Sequence, residues 1–129
     1  MTVDAATIRA RIDRYTSGFG AGDREAFLDN FAPDAWIEDP VGSPRLEGRE
    51  ALAGFYDQTT GLAESIELRL MGPVRIAAGE AAFPMQARPV MGGTTFAIDI
   101  IDVMTFDDEG RIATMRAFWD PAEMGPATD

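Results

Sequence analysis

Apolar residues recur at steps of three and four near the start of the chain and at steps of two toward its end. Ile8, Ile12, Tyr15 and Phe19 fall on one side at helical spacing, which predicts an amphipathic helix carrying Tyr15 inward. Gly18, Gly20 and Gly22 weaken that helix, and Asp23 is a good N-cap for a second one. In this second helix Phe27, Leu28 and Phe31 share a face, and Pro33 is expected to close it. A short strand is expected at residues 35–39, where Pro40 keeps Asp39 extended and begins a loop through Gly42, Ser43 and Pro44. A third helix is expected over residues 49–58, with Leu52, Phe55 and Tyr56 on its apolar side.

From Glu64 onward the period changes. Turn signals at Gly72-Pro73, Gly79-Glu80, Gly92-Gly93 and Asp107-Asp108-Glu109-Gly110 separate successive antiparallel strands, the last over residues 111–119. Residues 120–129, rich in Pro, Gly and acids, are expected to form a loosely held tail. Helices first and a meander of strands afterwards predict an α+β domain, with helices packed on one face of a curved sheet around a cone-shaped apolar pocket. Sheet residues Phe83, Met85, Met104, Met115 and Trp119 would line that pocket, with Tyr15, Phe55 and Tyr56 opposite them. Met and aromatic residues at such positions are ordinarily packing, so these roles rest on geometry alone.

Composition narrows the chemistry. The 129 residues predict a single domain, and the chain contains no histidine and no cysteine. That removes thiol nucleophiles, disulfides, zinc fingers and Ser-His-Asp arrangements, and leaves carboxylates and hydroxyls as the available catalytic groups. A net charge of −11 opposes phosphate backbones and anionic lipid surfaces, so nucleic acid and membranes are poor partners and a neutral apolar ligand fits better. The first residues alternate charged and short apolar side chains, and no segment approaches about 18 consecutive apolar residues, so a cytoplasmic protein is expected.

One strand stands out. Phe96, Ile98, Ile100, Asp102, Met104 and Phe106 project to one face, and Asp102 is the single polar member of that row. A buried carboxyl without a cationic partner raises its pKa and stays protonated, which makes it a hydrogen-bond donor at neutral pH. The bland readings are a bulge that turns Asp102 outward, or an ion pair with a residue such as Arg116 on the adjoining strand. Tyr15 and Asp39 point toward the same interior. Taken singly, a tyrosine on an apolar helix face is usually a core residue, and an aspartate before proline is usually a turn former.

Together these groups sit in segments that resemble the ketosteroid isomerase family of the NTF2-like, SnoaL-like superfamily. The segments are Arg14-Tyr15 with Ala21-Gly22-Asp23, Glu38-Asp39-Pro40-Val41-Gly42, Gly54-Phe55-Tyr56, Ile101-Asp102-Val103-Met104, and the run from Gly110 to Trp119. Their order and spacing match across nearly the full length. The resemblance implies a steroid Δ-isomerase in which Asp39 is the general base and Tyr15 and protonated Asp102 form the oxyanion hole. It also implies a small apolar steroid substrate, no metal or organic cofactor, and a homodimer. Ketosteroid isomerase is itself the standard example of a carboxylic acid kept neutral in an apolar site. Phe31 departs from relatives that carry a third tyrosine there, so a shorter hydroxyl network behind Tyr15 is expected.

Two other readings remain open. One is another enzyme on the same cone, of the polyketide cyclase, dehydratase or epoxide hydrolase type, many of which use a His-Asp pair that this chain lacks. The other is a noncatalytic ligand-binding module. The second face of the Asp102 strand, with Ala97, Asp99, Ile101, Val103 and Thr105, could meet a partner sheet or lie beneath helices of the same chain.

Overall fold

The computed structural model describes residues 3–128 and turns the first helical stripe into α1, Ala5–Gly20. Asp4 caps it by accepting from the Thr7 N–H at 2.8 Å, satisfying one of the free donors of the first turn. Its buried residues are Ile8, Ile12, Tyr15 and Phe19, the four that the spacing placed inward. Asp23 caps α2 by accepting from Ala26, but α2 is only Arg24–Leu28.

Phe31 and Pro33 are therefore not the end of a helix. They belong to β1, Phe31–Glu38, which starts earlier than the predicted strand. A helix and a strand would both bury Phe31, so its spacing does not discriminate. The deciding contact is long-range: the Ile112 N–H donates to the Asn30 carbonyl at 2.8 Å, and β1 then runs beside β7, Ile112–Phe118. Pro33 falls where the β1–β7 register shifts between Phe31 and Trp36, a place where a residue without an N–H is tolerated. α3, Arg49–Gly61, runs past its predicted end and buries Leu52, Ala53 and Tyr56.

The change of period is realised as β3 (Ser65–Leu70), β4 (Arg75–Ala77), β5 (Glu80–Met91) and β6 (Thr94–Phe106), followed by β7. Two short strands, β2 (Leu46–Glu47) and β8 (Gly125–Pro126), complete the set. The sheet order is β2-β1-β7-β6-β5-β3, with β4 also on β5 and β8 on β6. Neighbours are antiparallel except β1 and β7, whose parallel pairing makes the sheet mixed. The β6–β7 turn needs Gly110: its φ is +78°, and a Cβ there would come within 2.6 Å of the Thr7 side chain at the start of α1.

The tail is more ordered than its composition suggested. Pro121–Glu123 forms a 3-10 turn, β8 pairs with Phe96 and Ala97 of β6, and the Ala127 N–H donates to the Thr95 carbonyl at 2.9 Å.

Helices and sheet enclose one apolar core. Ala35 and Ile37 of β1, Phe83 and Met85 of β5, Ile100 and Met104 of β6, and Met115 and Ala117 of β7 are all buried. The outer face is left open in part. Ile101 and Phe118 oppose each other in the β6–β7 ladder and are 46% and 41% exposed, so none of the described helices lies over them.

Candidate active site

Asp102 keeps the alternation of β6 and points inward, 1% exposed. No bulge interrupts the ladder around it, since Phe83 of β5 and Ala117 of β7 are its register partners. Arg116 does not reach it, because the next residue along β7 faces outward and its guanidinium donates to Glu38 at 2.9 Å. Both carboxyl oxygens of Asp102 are buried without a hydrogen-bond partner among the described residues. Burial, and then the nearby charge of Asp39, push this carboxyl well above the ordinary aspartate value.

Asp39 lies one residue beyond β1, on the parity of the buried Ala35 and Ile37. Trp119 lies one residue beyond β7, on the parity of Met115 and Ala117. Because β1 and β7 are parallel neighbours, their C-terminal ends emerge side by side, and the Trp119 indole N–H donates to an Asp39 carboxylate oxygen at 2.6 Å. Asp39 is partly buried. Burial raises its pKa, and the indole hydrogen bond opposes that rise by favouring the ionised form.

Two carboxyls that sense each other in a weakly hydrated space do not both ionise. Asp102 is the more deeply buried and has no donor among the described residues, which favours its protonated form. Asp39 has a donor and partial solvent access, which favour its charged form by comparison.

Tyr15 approaches from α1, 3% exposed. Burial, then the neighbouring acids Asp102 and Asp39, push its hydroxyl well above the ordinary phenol value, so it keeps its proton. The structure thus brings Tyr15, Asp39 and Asp102 together from a helix and two strands separated only by β7.

Behind Tyr15 lies an aromatic cluster. Phe31 meets the Tyr15 ring edge-on at 6.2 Å, and Phe27 contacts both Tyr15, at 6.2 Å, and Tyr56, at 5.0 Å. The charges acting on the Tyr56 hydroxyl are Asp23, Asp57 and Arg24, which places it toward α2. Of the expected lining residues, Phe83, Met85, Met104 and Met115 are buried on the inner sheet face, while Phe55 and Trp119 are partly buried. A separate cavity of about 260 Å³ lies around Phe31, Ala32, Pro33 and Leu52, with Arg49 and Arg111 among its walls.

Sequence reasoning placed Trp119 as lining and did not foresee its hydrogen bond. The available signal was parity: Trp119 continues the inward row of the last strand, and Asp39 does the same on the first.

Residues 12–115 match the SnoaL-like domain family. The chain is 40% identical over 120 residues to the steroid Δ-isomerase of Nocardioides simplex, covering 93% of this chain and 95% of that one. It is 30% identical over 126 residues to the epoxide hydrolase LasB of Streptomyces lasalocidi, of which it spans 42%. Among solved structures, SalBIII, an epoxide hydrolase/cyclase-like enzyme in pyran ring formation of the polyether salinomycin, superposes with a TM-score of 0.87 at 26% identity, covering 96% of this chain and 98% of that one. Fold and site thus define an α+β cone of the NTF2-like class. The chain belongs to the SnoaL-like family and, within it, to the ketosteroid isomerases.

Proposed function

We propose that this protein isomerises 3-oxo-Δ5-steroids to their conjugated 3-oxo-Δ4 isomers through a dienolate. The observation that carries the reading is Asp102: an acid, buried among apolar neighbours, whose oxygens have no partner within the described residues. A buried polar group left unpaired costs stability, so its retention points to a partner that arrives with the substrate.

Asp39, ionised, removes a proton from steroid carbon 4 and returns it at carbon 6. The electrons move onto the ketone oxygen, where Tyr15 and Asp102 donate hydrogen bonds to the developing charge. A single well-placed donor of this kind contributes about 3 kcal/mol. No cofactor is required, because the substrate's own carbonyl accepts the electron pair. Phe83, Met85, Met104, Met115, Phe55 and Tyr56 are assigned to the apolar walls for the steroid rings.

The enzyme is placed in the cytoplasm, a setting consistent with the lack of cysteine. It is also assigned as a homodimer. The exposed Ile101 and Phe118 on the outer sheet face support that assignment, and sedimentation of the purified protein measures it.

The test is the ultraviolet appearance of conjugated enone when the protein meets a 3-oxo-Δ5-steroid, with Asp39→Asn alongside. Rapid turnover that collapses in the variant supports the reading. Absence of turnover in folded wild type removes it and favours a binding module.

A second reading draws on the likeness to LasB and SalBIII. An ionised carboxylate facing a protonated one could take a proton from a hydroxyl nucleophile while the other acid protonates the oxygen of an opening epoxide. Turnover of a hydroxy-epoxide without enone formation would favour it.

A further inference from the structure

The ring of Phe27 is the hub of the aromatic cluster behind Tyr15. It is fully buried and lies 5.0 Å from the Tyr56 ring, 5.2 Å from Phe31, 5.3 Å from Phe19 and 6.2 Å from Tyr15. Phe31, which also meets Tyr15, rests on Phe27 and borders the cavity of about 260 Å³. Phe31 is therefore open on its cavity side, and the support it passes to Tyr15 comes from Phe27.

The element that carries Phe27 is short but tied down. Asp23 opens α2, its side chain accepting from the Ala26 N–H at 3.1 Å and its carbonyl from the Phe27 N–H at 3.0 Å. Before Phe27, Arg24 donates twice to Asp57 of α3, at 2.8 and 3.1 Å. Arg49, at the start of α3, donates to Glu25 at 2.7 Å and, beyond Phe27, to Asp29 at 3.2 Å. Each exposed pair adds little stability, but together they bracket Phe27 and set where α2 rests on α3.

Ring packing, not a chain of hydroxyls, is what this cluster offers Tyr15. Phe31 has no hydroxyl. The charges acting on the Tyr56 hydroxyl are Asp23, Asp57 and Arg24, whereas the acids acting on Tyr15 are Asp102 and Asp39, so the two phenols face different groups.

We propose that Phe27 is a positioning residue for Tyr15: its ring, by direct contact and through Phe31, holds the phenol hydroxyl where the substrate's ketone oxygen gains charge. Phe27 touches no reacting atom. Its effect is geometric, because a donor displaced by about 1 Å can cost as much as about a hundredfold in rate. The proposal rests on Tyr15 being an oxyanion donor.

The test is a double-mutant cycle on turnover of a 3-oxo-Δ5-steroid, with wild type, Phe27→Leu, Tyr15→Phe and the double variant. Equilenin, a phenolic steroid, is the binding probe of the Tyr15–Asp102 end. Phe27→Leu removes the ring contacts and lowers kcat about tenfold with KM little changed, and it weakens equilenin by a similar factor. The acid limb set by Asp39 stays in place, because that carboxylate is held by Trp119 at the ends of β1 and β7. In the Tyr15→Phe background the same substitution costs less than about twofold, since the hydroxyl it would misplace is gone. Asn30→Ala, a destabilised variant outside the site, keeps the wild-type kcat and equilenin affinity. Should Phe27→Leu fail to fold, the cycle is run with Phe27→Met, which nearly keeps the volume and loses the ring, and the same pattern is expected.

An unchanged kcat in the Phe27 variant, a loss of equal size with and without the Tyr15 hydroxyl, or an equal loss in Asn30→Ala overturns the proposal. If Tyr15→Phe is as active as wild type, Tyr15 is no oxyanion donor and the reading of the site fails instead, which separates the two ideas.

Discussion

Asp102 stands opposite Ala117 across the β6–β7 ladder, and a methyl group offers it nothing to bond. Phe83 on the other side is equally mute. The sheet thus places an acid where every neighbour refuses it, and the cost of this is readable as stability.

Replacing Asp102 by Leu should lower kcat by about 10²–10³, the loss expected for one oxyanion donor. The same change should raise stability by about 1–3 kcal/mol, because an unpaired buried polar group is removed. Steroid turnover and urea unfolding on one preparation measure both.

The stability gap should depend on pH with a definite sign. Asp102 has a raised folded pKa, so the folded state binds a proton that the unfolded state releases above about pH 4. Its contribution is therefore fully present below the unfolded pKa and is lost as pH rises toward the folded value. The advantage of Asp102→Asn over wild type should be larger at pH 8 than at pH 5. A gap that shrinks with pH would show Asp102 ionised in the folded protein.

The rate has its own limb. Burial raises the Asp39 pKa above the ordinary 3.8, so kcat/KM should fall as pH drops through a value higher than that of a free aspartate. In Asp39→Asn the limb should disappear with the activity. A stopped-flow profile of enone formation reads this directly.

Stability can also be moved without touching the site. Asn30 is 3% exposed; its side-chain oxygen accepts from Arg11 at 3.2 Å, and Arg11 also donates to the Gly110 carbonyl. Asn30→Ala leaves a guanidinium donor unpaired and should cost about 1–3 kcal/mol in thermal or urea unfolding. The kcat/KM of the surviving folded protein should be unchanged.

Much of this protein was legible in its sequence. The helical stripe of α1, the cap Asp23, the turns and the inward parity of Asp102 all follow from local spacing, because each depends on neighbours within a turn or a two-residue repeat. Phe31 shows where this stops: a spacing compatible with helix and strand is decided by Asn30 meeting Ile112, far along the chain. The tail misled for the same reason, since composition cannot announce pairing with Thr95 and Phe96.

The sequence by itself determined that an acid would sit on an apolar face, that no histidine or cysteine could assist it, and that a tyrosine would point inward. Only the tertiary structure decided that this acid has no partner among the described residues, that a parallel pairing of β1 and β7 sets Asp39 beside Trp119, and that the indole binds the carboxylate at 2.6 Å. Alternation and periodicity specify which way a side chain faces. What it faces is specified by strand order and register, which are made by contacts between residues distant in sequence.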